Sequence, residues 1–216
     1  MNSSAPSAQP KPDTGYHWEN AEHNPSHGYL LPAVERILAG LQLPPERRRI
    51  FDLGCGNGSV ALHLAGKGYK PVGIDPSEEG IMLGRKAYPH LELHPGSCYD
   101  DLAGLYGRFP VVLSLEVVEH VYFPRQFAAT VHSLLEDGGT AIISTPYHGY
   151  LKNLVLALTG KLDAHFTALW EHGHIKFWSI RTLTLLLQEA GFKTVRFERV
   201  GRIPQLAKSM IAVATR

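Results

Sequence analysis

Asp52-Leu53-Gly54-Cys55-Gly56-Asn57-Gly58 places a carboxylate and three glycines between an apolar run and a helical pattern. Glycine lets the backbone turn sharply and approach a ligand with no Cβ in the way. The N–H groups that open the following helix then face an electronegative ligand atom. Asp75 ends the next apolar run, where a carboxylate can grip ribose hydroxyls, and Pro76-Ser77 starts another helix. A pyridine dinucleotide site shares these parts, but it wants G-x-G-x-x-G, whereas this loop reads G-x-G-x-G with Ser59 following. Asp52 would also repel a pyrophosphate, so a cationic nucleoside suits the loop better.

A second constellation follows the run PVVLSL, in Glu116-Val117-Val118-Glu119-His120. Helical geometry from the strand end would put Glu116, Glu119 and His120 on one face, and convergent oxygen and nitrogen donors of this kind can bind a divalent cation. Two plainer readings stand beside it: Glu116 touching cofactor or substrate, and Glu119-His120 as a solvated helix face. His148, in Ser144-Thr145-Pro146-Tyr147-His148, leaves the sheet beyond the fifth strand, where open α/β sheets bind ligands. It is the candidate general base, with a loop histidine on a wet rim as the alternative. Cys55 reads as a small residue in a tight turn and Cys98 as a pocket wall.

These groups need a scaffold that brings strand ends together. RIFDLG, YKPVGID, LELHPG, PVVLSLE and GTAIIST read as strands, alternating with helices at Ser59–Lys67, Ser77–Ala87, Pro124–Glu136 and Ile180–Ala190. GYLLPAVERILAGL adds a leading helix that Pro44-Pro45 stops, and KTVRFERV with LAKSMIAVAT predicts a hairpin at one sheet edge. The expected fold is α/β: a doubly wound, mostly parallel seven-stranded sheet with one antiparallel edge strand and helices on both faces. Residues 1–14, rich in Ser, Pro and Ala, read as a disordered tail. Residues 15–216 form one domain, and 147–177 breaks the alternation as a lid inserted after the fifth strand.

At Asp52, Gly54, Gly56 and Gly58 the chain resembles the class I S-adenosylmethionine-dependent methyltransferases, whose glycine motif reads acid-x-G-x-G-x-G. The resemblance implies a Rossmann-like fold and methyl transfer. It places Asp52, Gly54, Cys55 and Gly56 at the methionine end of the cofactor and Asp75, Pro76 and Ser77 at the ribose. Ser97, Cys98 and Tyr99 would border the adenine, Leu115 and Glu116 would complete the wall, and Trp18, with Tyr16 and His27, would fold over the top. E-x-x-E-H together with the later G-H-I-K-F-W resembles the ubiquinone-biosynthesis O-methyltransferases and, more distantly, the small-RNA 3′-terminal 2′-O-methyltransferases. In the latter, two Glu, a His and a later His hold a divalent metal beside the acceptor hydroxyls. Carried over, this puts Glu116, Glu119, His120 and His174 around a cation, with His172 as the alternative distal ligand; with His148 from the sheet end, Glu119 and His120 are the candidate catalytic groups. The donor set suits Mn, Fe, Co or Zn, and availability favours Mg. The expected reaction is O-methylation of a small diol-type acceptor, catechol, quinol or sugar. The alternatives are 2′-O-methylation of RNA ends and a cofactor-binding subunit without catalysis.

Bulk properties narrow the partners. In 216 residues, 21 Lys and Arg face 20 Asp and Glu, so no basic field nominates nucleic acid. Two cysteines cannot frame a disulfide scaffold, and a reducing, cytoplasmic setting is expected. Histidines crowd into His148–His174 beside Tyr147, Phe166, Trp170 and Trp178, where an acceptor ring could stack. Leu151, Leu154, Val155 and Leu158 share a helical face. Its first reading is a lid or core face, with a dimer contact or membrane-surface access to a prenylated acceptor as the others.

Overall fold

A computed structural model describes residues 18, 20–166, 168–170 and 173–216. The tail expected over 1–14, Tyr16 and His172 lie outside the described residues. Seven strands form one sheet in the order β3-β2-β1-β4-β5-β7-β6. They are β1 (Arg49–Leu53), β2 (Lys70–Asp75), β3 (Glu92–Pro95), β4 (Phe109–Leu115), β5 (Leu135–Pro146), β6 (Thr194–Val200) and β7 (Ser209–Thr215). β1 pairs in parallel with both β2 and β4. The chain therefore winds outward in both directions from β1, which opens a crevice at the carboxyl ends of β1 and β4.

The hairpin closes the far edge, but its antiparallel strand lies one place in: β7 pairs with β5 on one side and β6 on the other. Side-chain pattern explains the order. β7 is buried continuously from Ser209 to Ala214, as an interior strand requires, whereas β6 carries the partly exposed Arg196, Glu198 and Arg199 that blunt an edge.

Helices cover both faces. α1 (His27–Gly40) and α2 (Ser59–Gly66) bury Leu30, Val34, Leu38, Val60 and Leu64 against Ile50, Val111 and Leu113. On the opposite face, α5 (Pro124–Leu134) and α8 (Ile180–Glu189) pack Phe127, Val131, Leu183 and Leu187 with Phe51, Val112 and Ile143. α3 (Glu78–Ala87) starts where Ser77 Oγ accepts the N–H of Gly80 at 3.1 Å. A five-residue helix that the apolar spacing does not announce, α4 (Leu102–Tyr106), is nucleated by Asp101 accepting from Gly104 N.

The insertion holds α6 (Tyr150–Leu158) and α7 (Leu162–Phe166). The expected buried face of α6 turns outward: Leu151, Leu154 and Leu158 are 52, 54 and 78% exposed. Lys152 is the buried residue of that helix. No described helix is long and apolar enough to cross a membrane.

Candidate active site

The crevice is a cavity of about 500 Å³. Its floor is the loop after β1, where Gly54, Gly56 and Gly58 all have φ between 55 and 84°, a left-handed conformation that favours glycine. Gly54 and Cys55 donate their N–H groups to Ile74 O at 2.8 and 2.9 Å, fastening the loop to β2. A Cβ at Gly56 would overlap the Trp18 indole, so the chain before α1 closes over this loop.

Two carboxylates face the floor. Asp75 accepts Gly56 N on one oxygen and Ser77 N on the other, each at 2.8 Å. A carboxylate oxygen has two lone pairs, so capacity remains for ribose hydroxyls. Asp52 is 2% exposed, and its Oδ2 has no hydrogen-bond partner among the described residues. Burial, with Asp75 nearby, pushes its pKa up to about 7. An unpaired buried carboxylate beside a cavity fits a cationic ligand group, here an ammonium or sulfonium. Burial raises the thiol of Cys98 to about 11, so it stays protonated on the wall.

The described residues expected at the cofactor lie on this cavity: Trp18, Asp52, Gly54, Cys55, Gly56, Asp75, Pro76, Ser77, Ser97, Cys98, Tyr99, Leu115 and Glu116. His27 joins them, together with Asn24, Val117, Val121 and Ile175, which the motifs do not mark. Asn57 carries a further role hidden in the glycine motif. Its side-chain amide donates to the carbonyls of Asn20 and Glu22 at 3.0 and 2.9 Å, strapping residues 20–24 to the loop with Asn24 on the cavity wall. Nothing local in the sequence announces such a clamp, because one Asn in a glycine loop reads first as a turn residue.

The end of β4 departs from the helical geometry expected there. Glu116 has φ 56°, and a turn closed by His120 N donating to Val117 O follows it. Ser144 and Ser209 donate their hydroxyls to the two oxygens of Glu116 at 2.7 and 3.3 Å, which turns its carboxylate toward β5 and β7. Burial raises Glu116 to about 7 against these hydrogen bonds. Glu119 instead meets His120 and His174: one ligand atom from each lies within 4.8 Å of the others. Glu119 is 1% exposed with neither oxygen in full hydrogen-bond geometry among the described residues; burial, with Glu116 nearby, raises its pKa well above the usual carboxylate range, and the hydroxyl of Thr145 opposes that rise.

His174 is distant in sequence and is brought in by backbone bonds. Ile175 N and Lys176 N both donate to Glu119 O at 3.0 Å, and Trp178 Nε1 donates to Val118 O at 3.1 Å. His120 Nδ1 lies 3.1 Å from Gly173 O, which orients the ring in the way second-shell carbonyls orient metal-binding imidazoles. A buried carboxylate beside two imidazoles fits a divalent cation. His120 lies on the cavity wall; Glu119, His148 and His174 do not. His148 sits beneath the lid between Phe166, stacked at 6.0 Å, and Phe177 at 5.1 Å. Burial, with Lys152 and His165 nearby, holds it at about 4.

The profile of a family described as methyltransferase domain matches residues 21–196. The chain belongs to this methyltransferase domain family. It is an S-adenosylmethionine-dependent methyltransferase. The methyltransferase is 29% identical over 205 residues to a ubiquinone biosynthesis O-methyltransferase of Burkholderia pseudomallei, covering 91% of this chain and 86% of the relative. A protein of the same name from Caulobacter sp. is 37% identical over 131 residues, 59% of this chain and half of the relative. A S-adenosylmethionine-dependent methyltransferase structure from Mesorhizobium loti superposes with a TM-score of 0.63 at 19% identity, covering 86% of this chain and 96% of the other, which establishes the shared fold.

Proposed function

We propose that this methyltransferase transfers its methyl group to a hydroxyl of a small diol-type acceptor, a catechol, quinol or sugar, with a divalent cation held by Glu119, His120 and His174. The observation that carries the reading is the convergence of those three ligand atoms within 4.8 Å beside the cofactor cavity. The name shared by the relatives, ubiquinone biosynthesis O-methyltransferase, supports oxygen as the acceptor atom.

The cofactor supplies a methyl group on a sulfonium, and direct displacement needs the acceptor oxygen in line and relieved of its proton. The cation, Mg, Mn or Zn, supplies acidity to a hydroxyl that it binds: a phenol must be shifted by roughly 3 pK units to ionise near neutral pH. Asp52 pairs with the ammonium of the cofactor, and Asp75 holds the ribose. Gly54 and Gly56 let the donor approach the turn closely, and Trp18 with the 20–24 strap excludes water above it.

Glu116 is better matched than His148 to receive the acceptor proton. It lines the cavity and sits at about 7, whereas His148 lies off the wall at about 4 and is a weak proton acceptor. Labelled-methyl transfer to a diol panel, with and without exhaustive chelation, tests the reading. Turnover should vanish on chelation and return with added Mn or Mg, and undiminished turnover without metal removes the cation from the reaction.

A further inference from the structure

Three histidines gather on the donor side, away from the acceptor cluster. His23 belongs to the strap that Asn57 fastens, His27 opens α1 and lines the cofactor cavity, and His63 lies on α2, the helix that follows the glycine loop. The Nδ1 atoms of His23 and His27 lie 3.1 Å apart, with the two rings edge to face at 5.2 Å. The ring of His63 stands edge-on to His23 at 5.8 Å. Behind it, Glu35 on α1 accepts from His63 Nε2 at 2.6 Å and from Lys67 Nζ at 3.0 Å.

The short contact between His23 and His27 has two readings. As a hydrogen bond it shares one proton between two rings and gives His63 no part. It is also the bite of a metal ion: two imidazole nitrogens each about 2.0 to 2.1 Å from one cation lie roughly 2.9 Å apart at a square corner and roughly 3.3 Å apart at a tetrahedral one. Burial, with His23 and His63 nearby, holds His27 at about 4, and burial, with His63 nearby, also lowers His23. Near neutral pH both rings are therefore uncharged, and a cation needs only a change of tautomer to find both lone pairs. Glu35 holds His63 by Nε2, the carboxylate-histidine arrangement that orients metal-binding imidazoles, and leaves its Nδ1 for a ligand. The three rings do not converge on one point in this structure. His23 is the exposed member, so a change of its rotamer both admits an ion from solvent and closes the set.

We propose that His23, His27 and His63 bind a Zn, Ni or Cu ion at a site separate from the acceptor cluster, and that the bound ion clamps the strap over the cofactor cavity. The donor set selects the ion. Imidazole suits these late cations, whereas Mg and Ca want oxygen, and Glu35 already gives its oxygens to His63 and Lys67. One ligand comes from the strap, one from α1 and one from α2. An ion joining them fastens the strap to the two helices beside the cofactor and slows its exchange. The site owes nothing to the identity of the acceptor, and it stands whether or not a cation assists the methyl transfer.

Glu119→Gln disables the acceptor cluster and isolates the donor-side site. Calorimetry on that full-length variant, in excess Mg, should show one equivalent of Zn bound. Adding His23→Gln should abolish the binding, and adding His63→Gln or Glu35→Gln should weaken it about tenfold or more. Thermal melts check that each variant folds; His23, being exposed, is the least demanding replacement. Cu in place of Zn should give an electron paramagnetic resonance spectrum split by imidazole nitrogen, lost with His23→Gln. With the demethylated cofactor preloaded, Zn should slow its release and the amide exchange of residues 20–24 several-fold, and neither change should occur in the variant that also carries His23→Gln. No heat from Zn in Glu119→Gln, or equal heat after His23→Gln, overturns the site. Zn binding that leaves cofactor release and strap exchange unchanged overturns the clamp.

Discussion

The two sides of the cleft are built by different means. On the donor side, the loop after β1 is bonded to β2, and the conformation of each glycine, each Asp75 oxygen and the cap of α3 are set by local backbone. On the acceptor side, His174, His148 and Lys152 hang on an insertion whose anchors are long-range bonds to Glu119 O and Lys208 O. The donor side leaves Asp52 Oδ2 and Ser59 Oγ without a hydrogen-bond partner among the described residues. The acceptor side leaves Glu119, Thr145, His148, Asn153 and His165 short of full hydrogen-bond geometry among the described residues, although Thr145 stands close enough to Glu119, and Asn153 to His148, to act on them. Buried polar atoms are almost always satisfied in a finished fold, so the acceptor side is the less completely bonded of the two.

The comparison breaks first at the cation cluster. Glu119→Gln should keep the fold and lower methyl transfer on the order of a thousandfold, the scale of a lost 3-unit acidity shift, when measured at saturating cofactor. Equal turnover in the variant would make the acceptor side as locally self-sufficient as the donor side.

Asp52→Asn should weaken cofactor binding about ten- to a hundredfold in calorimetry, the scale of a charge-assisted bond. The pH dependence has a defined sign. With the folded-state carboxyl at about 7, affinity in the parent should fall as pH drops below 7, and the variant should be flat. The raised value also means that the ligand-free fold holds this proton more tightly than the unfolded chain does. The stability it contributes is present at low pH and lost as pH rises from the ordinary carboxylate range through about 7. Asp52→Asn should therefore melt higher than the parent at pH 8 without cofactor.

Asn57→Ala removes two hydrogen bonds to the strap. It should raise the KM for cofactor several-fold and speed amide exchange over residues 20–24, with a stability loss of about 1 to 2 kcal/mol. The smallest effect belongs to the outward face of α6: Leu158→Lys should shift stability by less than about 0.5 kcal/mol, because the side chain is already 78% exposed. A large loss there would mean that the face is covered in solution.

The same contrast explains what the sequence reveals. Strand runs, the glycine turn and Asp75 are local patterns, continuous apolar stretches or fixed spacings, so the sheet and its switch point follow directly. The turn after β4 is not local in this sense: Glu116 enters a left-handed conformation because Ser144 and Ser209, on two other strands, hold its carboxylate. Helical spacing at Glu116–His120 therefore misled, although Glu119 and His120 still converge. α6 misled for a related reason. Its apolar stripe has the period of a buried face, yet Lys152 is the residue that faces in, near Glu116 after β4 and Arg202 after β6.

The inner position of β7 has a consequence for how the chain matures. β6 is made first and lies at the sheet edge, yet its hydrogen-bonding neighbour is the strand that leaves the ribosome after it. Until those closing residues emerge, β5 presents an open edge and Ser209 is not there to steady Glu116. The nascent protein thus acquires its outer hairpin and the last support of its acceptor wall in a single late step.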